Sequence, residues 1–450
     1  MKKTFYTLLA IGWVLCAVIP ISSYDLEIVT LKGVMALLWW ACLYVGLRLD
    51  KNVFSPFTLF GTYPFGLMLY SDYISGKYLP LPDAAGVWVL MLTGVGTFAG
   101  MLAMRWRASN APRRDSESVQ EIEYVSWPML VLFMIPFTMT ALSFGSLSYS
   151  SKEDIVELRA QSGISVLGML LSFYAPIIIN AVKKRQKAML WTMMVLLFVL
   201  SLFNMSKGTV INALFALIFA MATYRGDLWN KSWSIRNVLL GILIVVVMVA
   251  TFRFYGALRS GRFGDEDYEN SYEYAIRYHD ITPLPKSLQP LYSPYMYMVT
   301  PSANVTNLVE KEINNGNGIA TFWPVISIFQ LKRLFNISFP FIPIRLMPYN
   351  TFSLGGVFYF DGGIPAVLLG CFILGFVTYW LYDRARNDRD VMIAAEYFFW
   401  GLAMFYSFFS NHFITQGYPL RMLIVLEIYR GLCKLSRGNA ERGIMTKKVC

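Results

Sequence analysis

Long apolar stretches alternate along the chain with short polar segments, and many approach the ~20 residues that a helix needs to cross a bilayer. Because lipid offers the backbone no hydrogen-bonding partner, each stretch is expected to be helical. The sequence therefore predicts an all-α polytopic membrane protein with about twelve transmembrane helices. The predicted spans are 4–21, 30–48, 53–72, 86–104, 127–147, 164–182, 188–204, 208–223, 237–256, 364–382, 391–410 and 419–434.

The spans divide the chain unevenly. Residues 1–256 hold the first nine spans, 257–363 form one large loop with short helices, 364–434 hold the last three, and 435–450 form a tail. The loop is far longer than the usual connection of ~4–6 residues, so function is expected there. Its stretch 318–335 is apolar enough to dip into the membrane interface, but Pro324, Lys332 and Arg333 argue against a full span.

Lysine and arginine concentrate in every second connector, for example in the segments 105–114 and 183–187. The positive-inside bias then places both termini and the tail in the cytoplasm and the large loop on the outer side. With 56% apolar and 15% charged residues, the chain does not fit a soluble domain, in which ~25% are charged. The net charge of +11 is explained by topology and anionic headgroups, so nucleic acid is not a predicted partner.

Several kinds of chemistry leave no mark on the sequence. The five cysteines have no paired spacing that would indicate a disulfide framework or a metal cluster. No nucleotide-binding glycine loop, metal-ligand spacing or serine nucleophile elbow is visible. We therefore predict no metal and no cofactor, and an external site must use a substrate that is already activated.

Cations remain on the outer side despite the bias that places them inside. Arginine's planar fork suits phosphate oxygens, so a ring of cations at headgroup depth is predicted to hold a lipid-linked diphosphate. The alternative is that each one reaches toward ordinary headgroups. At a predicted helix start, Arg421 opposes the helix dipole, so we expect it to have an anionic partner. The outer cations are Arg159, Lys207, Arg253, Arg259, Arg262, Arg277, Lys286, Lys311, Lys332, Arg333, Arg345 and Arg421.

Three side chains are candidates for a general base on the outer side: His412 in the connector SNHFITQGYP, Asp280, and Asp361 in MPYNTFSLGGVFYFDGG. His412 is also a candidate diphosphate ligand. For Asp361 we favour a structural role, because Asp-Gly-Gly suits a turn and its carboxylate is placed to cap the following helix. Glu396, inside a predicted span, is open between structural pairing and function. Glu427 and Arg430 are expected in a frayed cytoplasmic turn.

The late stretch PYNTFSLGGVFYFDGGIPAVLLGCFILGFVTYWLYDRAR resembles the Wzy-type oligosaccharide repeat unit polymerases, or O-antigen polymerases. Their Asn-Thr-Phe lead, acidic turn and glycine-containing span correspond to Asn350, Thr351, Phe352, Asp361, Gly362, Gly363, Gly370 and Gly375. Gly362 stands where the family has phenylalanine. Three shorter stretches follow the family's order: KEDIVELRAQSG with Arg159, FNMSKGTVINALFALI with Lys207, and YSPYMYMVTPSANVTNL.

The resemblance implies a glycosyltransferase of GT-C-like architecture in the bacterial inner membrane, with its active site facing the periplasm. Its substrate would be a glycan linked to undecaprenyl diphosphate, transferred en bloc to a new lipid-linked repeat unit to build O-antigen or a related surface polysaccharide. No nucleotide sugar or metal is implied. Membrane lipids are further expected partners. Whether a chain-length regulator is also a partner is left open. An O-antigen ligase and a lipid-linked oligosaccharide flippase or transporter are the alternatives.

The resemblance also suggests roles for residues. Arg253 and Arg259 are assigned to catalysis, together with Asp361 and His412. The remaining candidates would bind the diphosphate or the glycan. They are Arg159, Lys207, Arg262, Arg277, Tyr349, Asn350 and Arg421.

Overall fold

The computed structural model describes residues 26–70, 83–110, 126–145, 168–203, 207–225, 250, 292–329, 331–338, 352–388, 390–413 and 418–449. Within these ranges the regular secondary structure is helical, with no strand. The helices are α1 (Leu26–Leu43, continued by a π-helical turn Tyr44–Leu49), α2 (Pro56–Phe60), α3 (Thr62–Leu69), α4 (Ala84–Asn110), α5 (Ser126–Gly145), α6 (Tyr174–Lys183), α7 (Lys187–Phe203), α8 (Lys207–Arg225), α9 (Tyr292–Glu310), α10 (Ile319–Ile328), α11 (Leu331–Leu334), α12 (Gly356–Asp388), α13 (Val391–Phe405) and α14 (Tyr418–Val449). Short 3₁₀ turns, Gly168–Phe173 and Tyr406–Phe408, precede α6 and follow α13.

Four helical segments in the described part are long and apolar enough to cross a membrane: Leu26–Leu49, Ala84–Asn110, Gly356–Asn387 and Val391–Phe408. Four shorter apolar helices, Trp127–Leu142, Met169–Lys183, Lys187–Phe203 and Gly208–Tyr224, fall at other predicted spans. The prediction of a helical membrane protein is thus supported. The full set of twelve spans stays a prediction, since 4–21 and nearly all of 237–256 lie outside the described residues.

Two predicted elements differ from the observed ones. The span predicted at 53–72 is two short helices, α2 and α3, which meet at Gly61. Pro56 is the first residue of α2, and Pro64 lies in the first turn of α3. Proline is favoured at helix starts, so the sequence favours two separate helices here. At the other end of the chain, α14 continues to Val449. The predicted tail 435–450 is therefore helical through almost its whole length.

The long helices α4 and α12 lie side by side and contact each other through glycine. A side chain at Gly100 would overlap the backbone carbonyl of Phe372, and one at Gly375 would overlap that of Thr97. Such small residues let two helix backbones approach closely, which is how membrane helices gain packing contacts without a hydrophobic driving force.

The long helix α12 is broken near its start. Gly362 has φ −167° and ψ 25°, and Gly363 has φ 63° and ψ −154°, so neither residue is helical. A side chain at Gly370, after the break, would overlap Phe358, which precedes it. The chain therefore reverses at these glycines, and residues 356–361 run back beside residues 364–370.

The hairpin also shows how the described residues of the stretch MPYNTFSLGGVFYFDGG, 352–363, are arranged. Gly355 approaches Thr93 of α4, and Leu368 approaches Gly96, only one turn farther along the same helix. The backbone before the reversal therefore lies inside the protein. Consistent with this, Leu354 is completely buried. Asp-Gly-Gly is a turn, as predicted, but it is the tip of a hairpin whose first arm enters the core.

Helix α9, within the predicted large loop, is also part of the core. Its sequence is half polar, yet Thr300, Ser302, Asn304 and Thr306 are all buried. It packs against α3, α4 and α12. The hydroxyl of Tyr295 donates to the carbonyl of Leu69 at 3.1 Å. This part of the predicted loop is therefore packed into the helical bundle.

Candidate functional site

Three segments that are far apart in sequence meet at one end of the bundle, and we call them together the loop junction: residues 300–306 of α9, residues 352–361, and the connector 406–413. The backbone N–H of Ser353 donates to the carbonyl of Pro301 at 3.3 Å. On the other side, the backbone N–H of Leu354 donates to the carbonyl of Ser407 at 3.0 Å. The side-chain amide of Asn411 donates to the carbonyl of Leu354 at 2.7 Å. The non-helical backbone of residues 353 and 354 is thereby hydrogen-bonded inside the protein.

Buried hydroxyls line this junction. The hydroxyl oxygens of Thr300, Ser302 and Ser407 have no hydrogen-bond partner among the described residues, and all three residues are at most 1% exposed. A buried polar group without a partner costs ~1–3 kcal/mol, so such groups are uncommon unless something polar completes them. The loop junction thus contains buried hydroxyl groups that the described residues do not satisfy.

Asp361 lies at the tip of the hairpin and binds the start of α10. One carboxylate oxygen, Oδ1, accepts from the backbone N–H of Ala320 at 3.2 Å, and Oδ2 accepts from that of Thr321. These N–H groups belong to the first turn of α10, which has no intrahelical partner for them. We predicted that Asp361 caps the helix after it. The structure instead shows it capping a helix about forty residues earlier, because the reversal at Gly362 and Gly363 points the tip toward α10.

His412 is partly buried in the connector, and its ring lies 5.1 Å from that of Tyr406. The Tyr406 hydroxyl donates at 3.1 Å to Oδ1 of Asn212, which is on α8 five residues after Lys207. The structure thus brings the first turns of α8, where Lys207 is the first residue, to the connector that carries His412. Arg421 lies in the first turn of α14 and is partly buried.

The other predicted site residues lie outside the described part of the chain. They are Arg159, Arg253, Arg259, Arg262, Arg277, Asp280, Tyr349 and Asn350.

The far end of the bundle has a charged network that the sequence analysis did not single out. Asp50 is buried at the end of α1, and its Oδ1 accepts from Nε of Arg105 at 2.9 Å and from the hydroxyl of Tyr379 at 3.1 Å. Its Oδ2 accepts from the hydroxyl of Ser55 at 2.6 Å. The carboxylate is therefore fully paired, and it joins the ends of α1, α4 and α12. We assign it a structural role.

A second network lies on α12, α13 and α14. A guanidinium nitrogen of Arg384 lies 3.1 Å from Glu427 and another lies 3.8 Å from the completely buried Glu396. Arg430 bridges Glu427 at 3.3 Å and Asp390 at 3.2 Å. Glu427 and Arg430 are thus not in a frayed turn as predicted, because the neighbouring helices supply partners of opposite charge. For Glu396, the pairing that we left open is observed as an ion pair with Arg384, although neither carboxylate oxygen has a hydrogen-bond partner among the described residues.

Sequence reasoning also missed Lys32, which is completely buried on α1. The signal was visible: it is a lone lysine within the apolar stretch LEIVTLKGVMALLWW. A cation inside a predicted span is costly and so is a default candidate for a specific role. Asp50 was less visible, because it follows a predicted span and reads as an ordinary polar connector.

Comparison with known proteins gives only partial likenesses. No family model matches the chain, and no solved structure matches it. NADH-ubiquinone oxidoreductase chain 6 of Brachyramphus marmoratus is 38% identical over 79 residues, which is 17% of this chain and 44% of that protein. The protein of the same name from Alle alle is 34% identical over 73 residues, 16% of this chain and 42% of its own length. The chain therefore spans less than half the length of the curated relatives that it matches.

Proposed function

We propose that the protein is a glycosyltransferase that polymerises oligosaccharide repeat units linked to undecaprenyl diphosphate. In this proposal it works in the bacterial inner membrane and its site faces the periplasm. The growing chain is transferred en bloc from its lipid diphosphate to a new lipid-linked repeat unit. The product is O-antigen or a related surface polysaccharide.

One observation supports this proposal above the others: stretches with family-like sequence come together at the loop junction. The late stretch, with Asp361, forms the hairpin of α12. The tyrosine-rich stretch forms most of α9, whose Pro301 accepts from Ser353 beside that hairpin. The stretch that begins near Lys207 forms α8, which bonds the connector through Asn212 and Tyr406. Sequence likenesses that are weak one by one thus fall on segments in contact.

The chemistry required is a substitution at the anomeric carbon with a diphosphate leaving group. Negative charge grows on phosphate as the glycosidic bond breaks, so fixed cations stabilise the transition state more than the ground state. Arg253, Arg259, Arg262 and Lys207 are proposed for this role, with Arg159, Arg277 and Arg421 as further ligands. Tyr349 and Asn350 are proposed to contact sugar.

The acceptor hydroxyl must lose its proton during the transfer. Both oxygens of Asp361 accept backbone hydrogen bonds from α10, so this carboxylate is committed to holding that helix. His412 is partly exposed at the loop junction and is our preferred general base.

A flippase or other transporter is the second candidate, and the charge pairs within the bundle are the observation that bears on it. A substrate path would need charges along its length. Arg384, however, lies twenty-one residues beyond Gly363 on α12, about 30 Å away at the usual helical rise. The ion pairs thus lie together, far from the loop junction. This arrangement fits the joining of helix ends better than a route for a transported substrate.

The decisive experiment reconstitutes the purified full chain in vesicles with a lipid-linked repeat unit and no nucleotide. A polymerase gives a ladder of longer lipid-linked chains. A ligase gives no ladder but transfers glycan when lipid A core is added. A transporter moves the repeat unit across the vesicle membrane and leaves its length unchanged. Either of the last two results would overturn the proposal.

A further inference from the structure

Helices α10 and α11 present apolar side chains that nothing in the described part of the protein covers. On α10 and just after it, Phe322, Val325 and Phe329 are 62%, 36% and 63% exposed. Their spacing of three and four residues places them on one face of the helix. Leu334 and Phe335, at the end of α11, are also exposed. A contiguous apolar face of this kind indicates a contact with lipid or with protein.

The opposite face of α10 is held against the bundle. Ala320 is completely buried and Pro324 is buried. The helix start is fixed to the hairpin tip by Asp361 and by a hydrogen bond of 2.9 Å from the N–H of Gly316 to the carbonyl of Phe360. The apolar face is therefore presented outward by a fixed helix.

Exposed apolar side chains also lie on the candidate membrane span that packs against α10. Just beyond the hairpin tip, Ile364, Leu368 and Leu369 of α12 are 40–63% exposed, and they lie in the span Gly356–Asn387. With ten residues, α10 is about 15 Å long, half of what is needed to cross the hydrocarbon core. The helix is thus too short to span, and its start is bound to the hairpin tip, just before the exposed apolar residues of α12.

The sequence of α11 contains two cations. Lys332 and Arg333 lie between Leu331 and Leu334, next to the exposed Phe335. Cations beside exposed aromatic and aliphatic residues are the pattern of a segment that lies at a membrane surface, where they meet anionic headgroups.

We propose that α10 and α11 form a membrane-embedded platform, with phospholipid as its occupant. The exposed apolar side chains enter the upper acyl region of the leaflet next to the hairpin tip, and Lys332 and Arg333 bind phosphate groups of anionic lipids. The platform fixes the depth of the hairpin tip in the membrane. It does not depend on the polymerase activity proposed above.

A photo-crosslinking experiment tests this placement directly. The full chain is prepared with p-benzoylphenylalanine in place of Phe322 or Phe329, and reconstituted in vesicles of phosphatidylethanolamine and phosphatidylglycerol with tagged acyl chains. The matched controls are Phe372, which is 38% exposed on the span of α12, and Phe360, which is 2% exposed. We expect lipid adducts at 322 and 329 comparable to those at 372, with background at 360. Background labelling at both α10 positions, or a crosslink to a second copy in place of lipid, would overturn the proposal.

A second arm tests the charges. In the parent chain the adducts at position 322 should favour phosphatidylglycerol over phosphatidylethanolamine, and in the variant Lys332→Gln/Arg333→Gln this preference should be lost. Equal labelling of the two lipids in the parent chain would overturn the role of the cations. An unchanged preference would contradict the role of the two cations. Gel filtration of each variant in detergent confirms that the chain is folded before reconstitution.

Discussion

The carboxylate of Asp361 accepts a hydrogen bond from the backbone N–H of Ala320 at 3.2 Å, and so links the tip of one hairpin to the first turn of α10. Replacing this residue should therefore act on stability. We expect Asp361→Ala to lower the free energy of unfolding by about 1–2 kcal/mol, the usual cost of a lost helix cap. Asp361→Asn should cost less, since one acceptor oxygen remains. Thermal unfolding in detergent measures both.

The same pair of variants separates the cap from a catalytic role. If the residue is structural, polymer formation should persist in both variants, in proportion to the amount of folded protein. An Asp361→Asn protein that is as stable as the parent but makes no polymer would make Asp361 the general base and displace His412.

Gly363 is the residue whose backbone conformation allows the hairpin. Its φ of 63° with ψ of −154° is available to glycine and almost closed to other residues. We expect Gly363→Ala to destabilise the protein by about 1–3 kcal/mol. Gly33→Ala is the matched control, because that helical glycine faces open space and alanine is the better helix former. Equal melting temperatures for the two variants would show that the reversal does not need glycine.

Asp50 should be the most sensitive position at the far end of the bundle. Removing one partner of a buried ion pair costs ~3–5 kcal/mol, because the other charge is left without compensation. We expect Asp50→Ala to reach that range and Tyr379→Phe, which removes one hydrogen bond, to cost about 1 kcal/mol. A double-mutant cycle with Arg105→Gln measures the coupling. Additive effects of Asp50→Asn and Arg105→Gln would show that the pair contributes no specific interaction.

His412 is expected to act in catalysis and not in substrate binding. His412→Ala should lower kcat by roughly 10²–10⁴-fold, the usual contribution of a general base, and leave KM for the lipid-linked repeat nearly unchanged. His279→Ala is the control, since it removes the other histidine of the chain. Loss of substrate binding in His412→Ala with an unchanged kcat would assign the imidazole to the diphosphate.

Arg253 and Arg259, in the predicted ring of outer cations, should be needed to make polymer but not for folding. Arg253→Ala and Arg259→Ala are each expected to abolish long chains in cells while the protein still inserts in the membrane. Lys184→Ala, an exposed lysine in a predicted cytoplasmic connector, is the matched control and should leave chain length unchanged. A normal chain-length distribution in both arginine variants would remove these residues from the site.

Helix positions could be read from hydropathy wherever the sequence is uniformly apolar. The predicted spans 188–204 and 208–223 correspond closely to α7 and α8, and 391–410 corresponds to α13 with its 3₁₀ turn. The burial of α9 could not be predicted, because a helix with Thr300, Ser302 and Asn304 reads as external. These polar residues are buried because α9 packs against α3, α4 and α12, which hydropathy along the chain does not reveal.

The sequence predicted which residue types form the candidate site, but not how the segments that carry them are arranged. The sequence indicated that Asp-Gly-Gly forms a turn, but hydropathy carries no information on which way the chain leaves a turn. Only the contact of Phe358 with Gly370 shows that the chain folds back. The pairing of Asn212 with Tyr406 likewise joins residues almost two hundred positions apart, and no local pattern marks it.

The network around Asp50 has a consequence for biosynthesis. Tyr379 is separated from Asp50 by 329 positions, so the ribosome delivers this hydroxyl long after the first helices have entered the membrane. Until then the carboxylate must rely on Arg105 and Ser55. A nascent chain that stops before α12 would thus lack one of the three hydrogen bonds to this carboxylate, and α12 adds the last one when it is made.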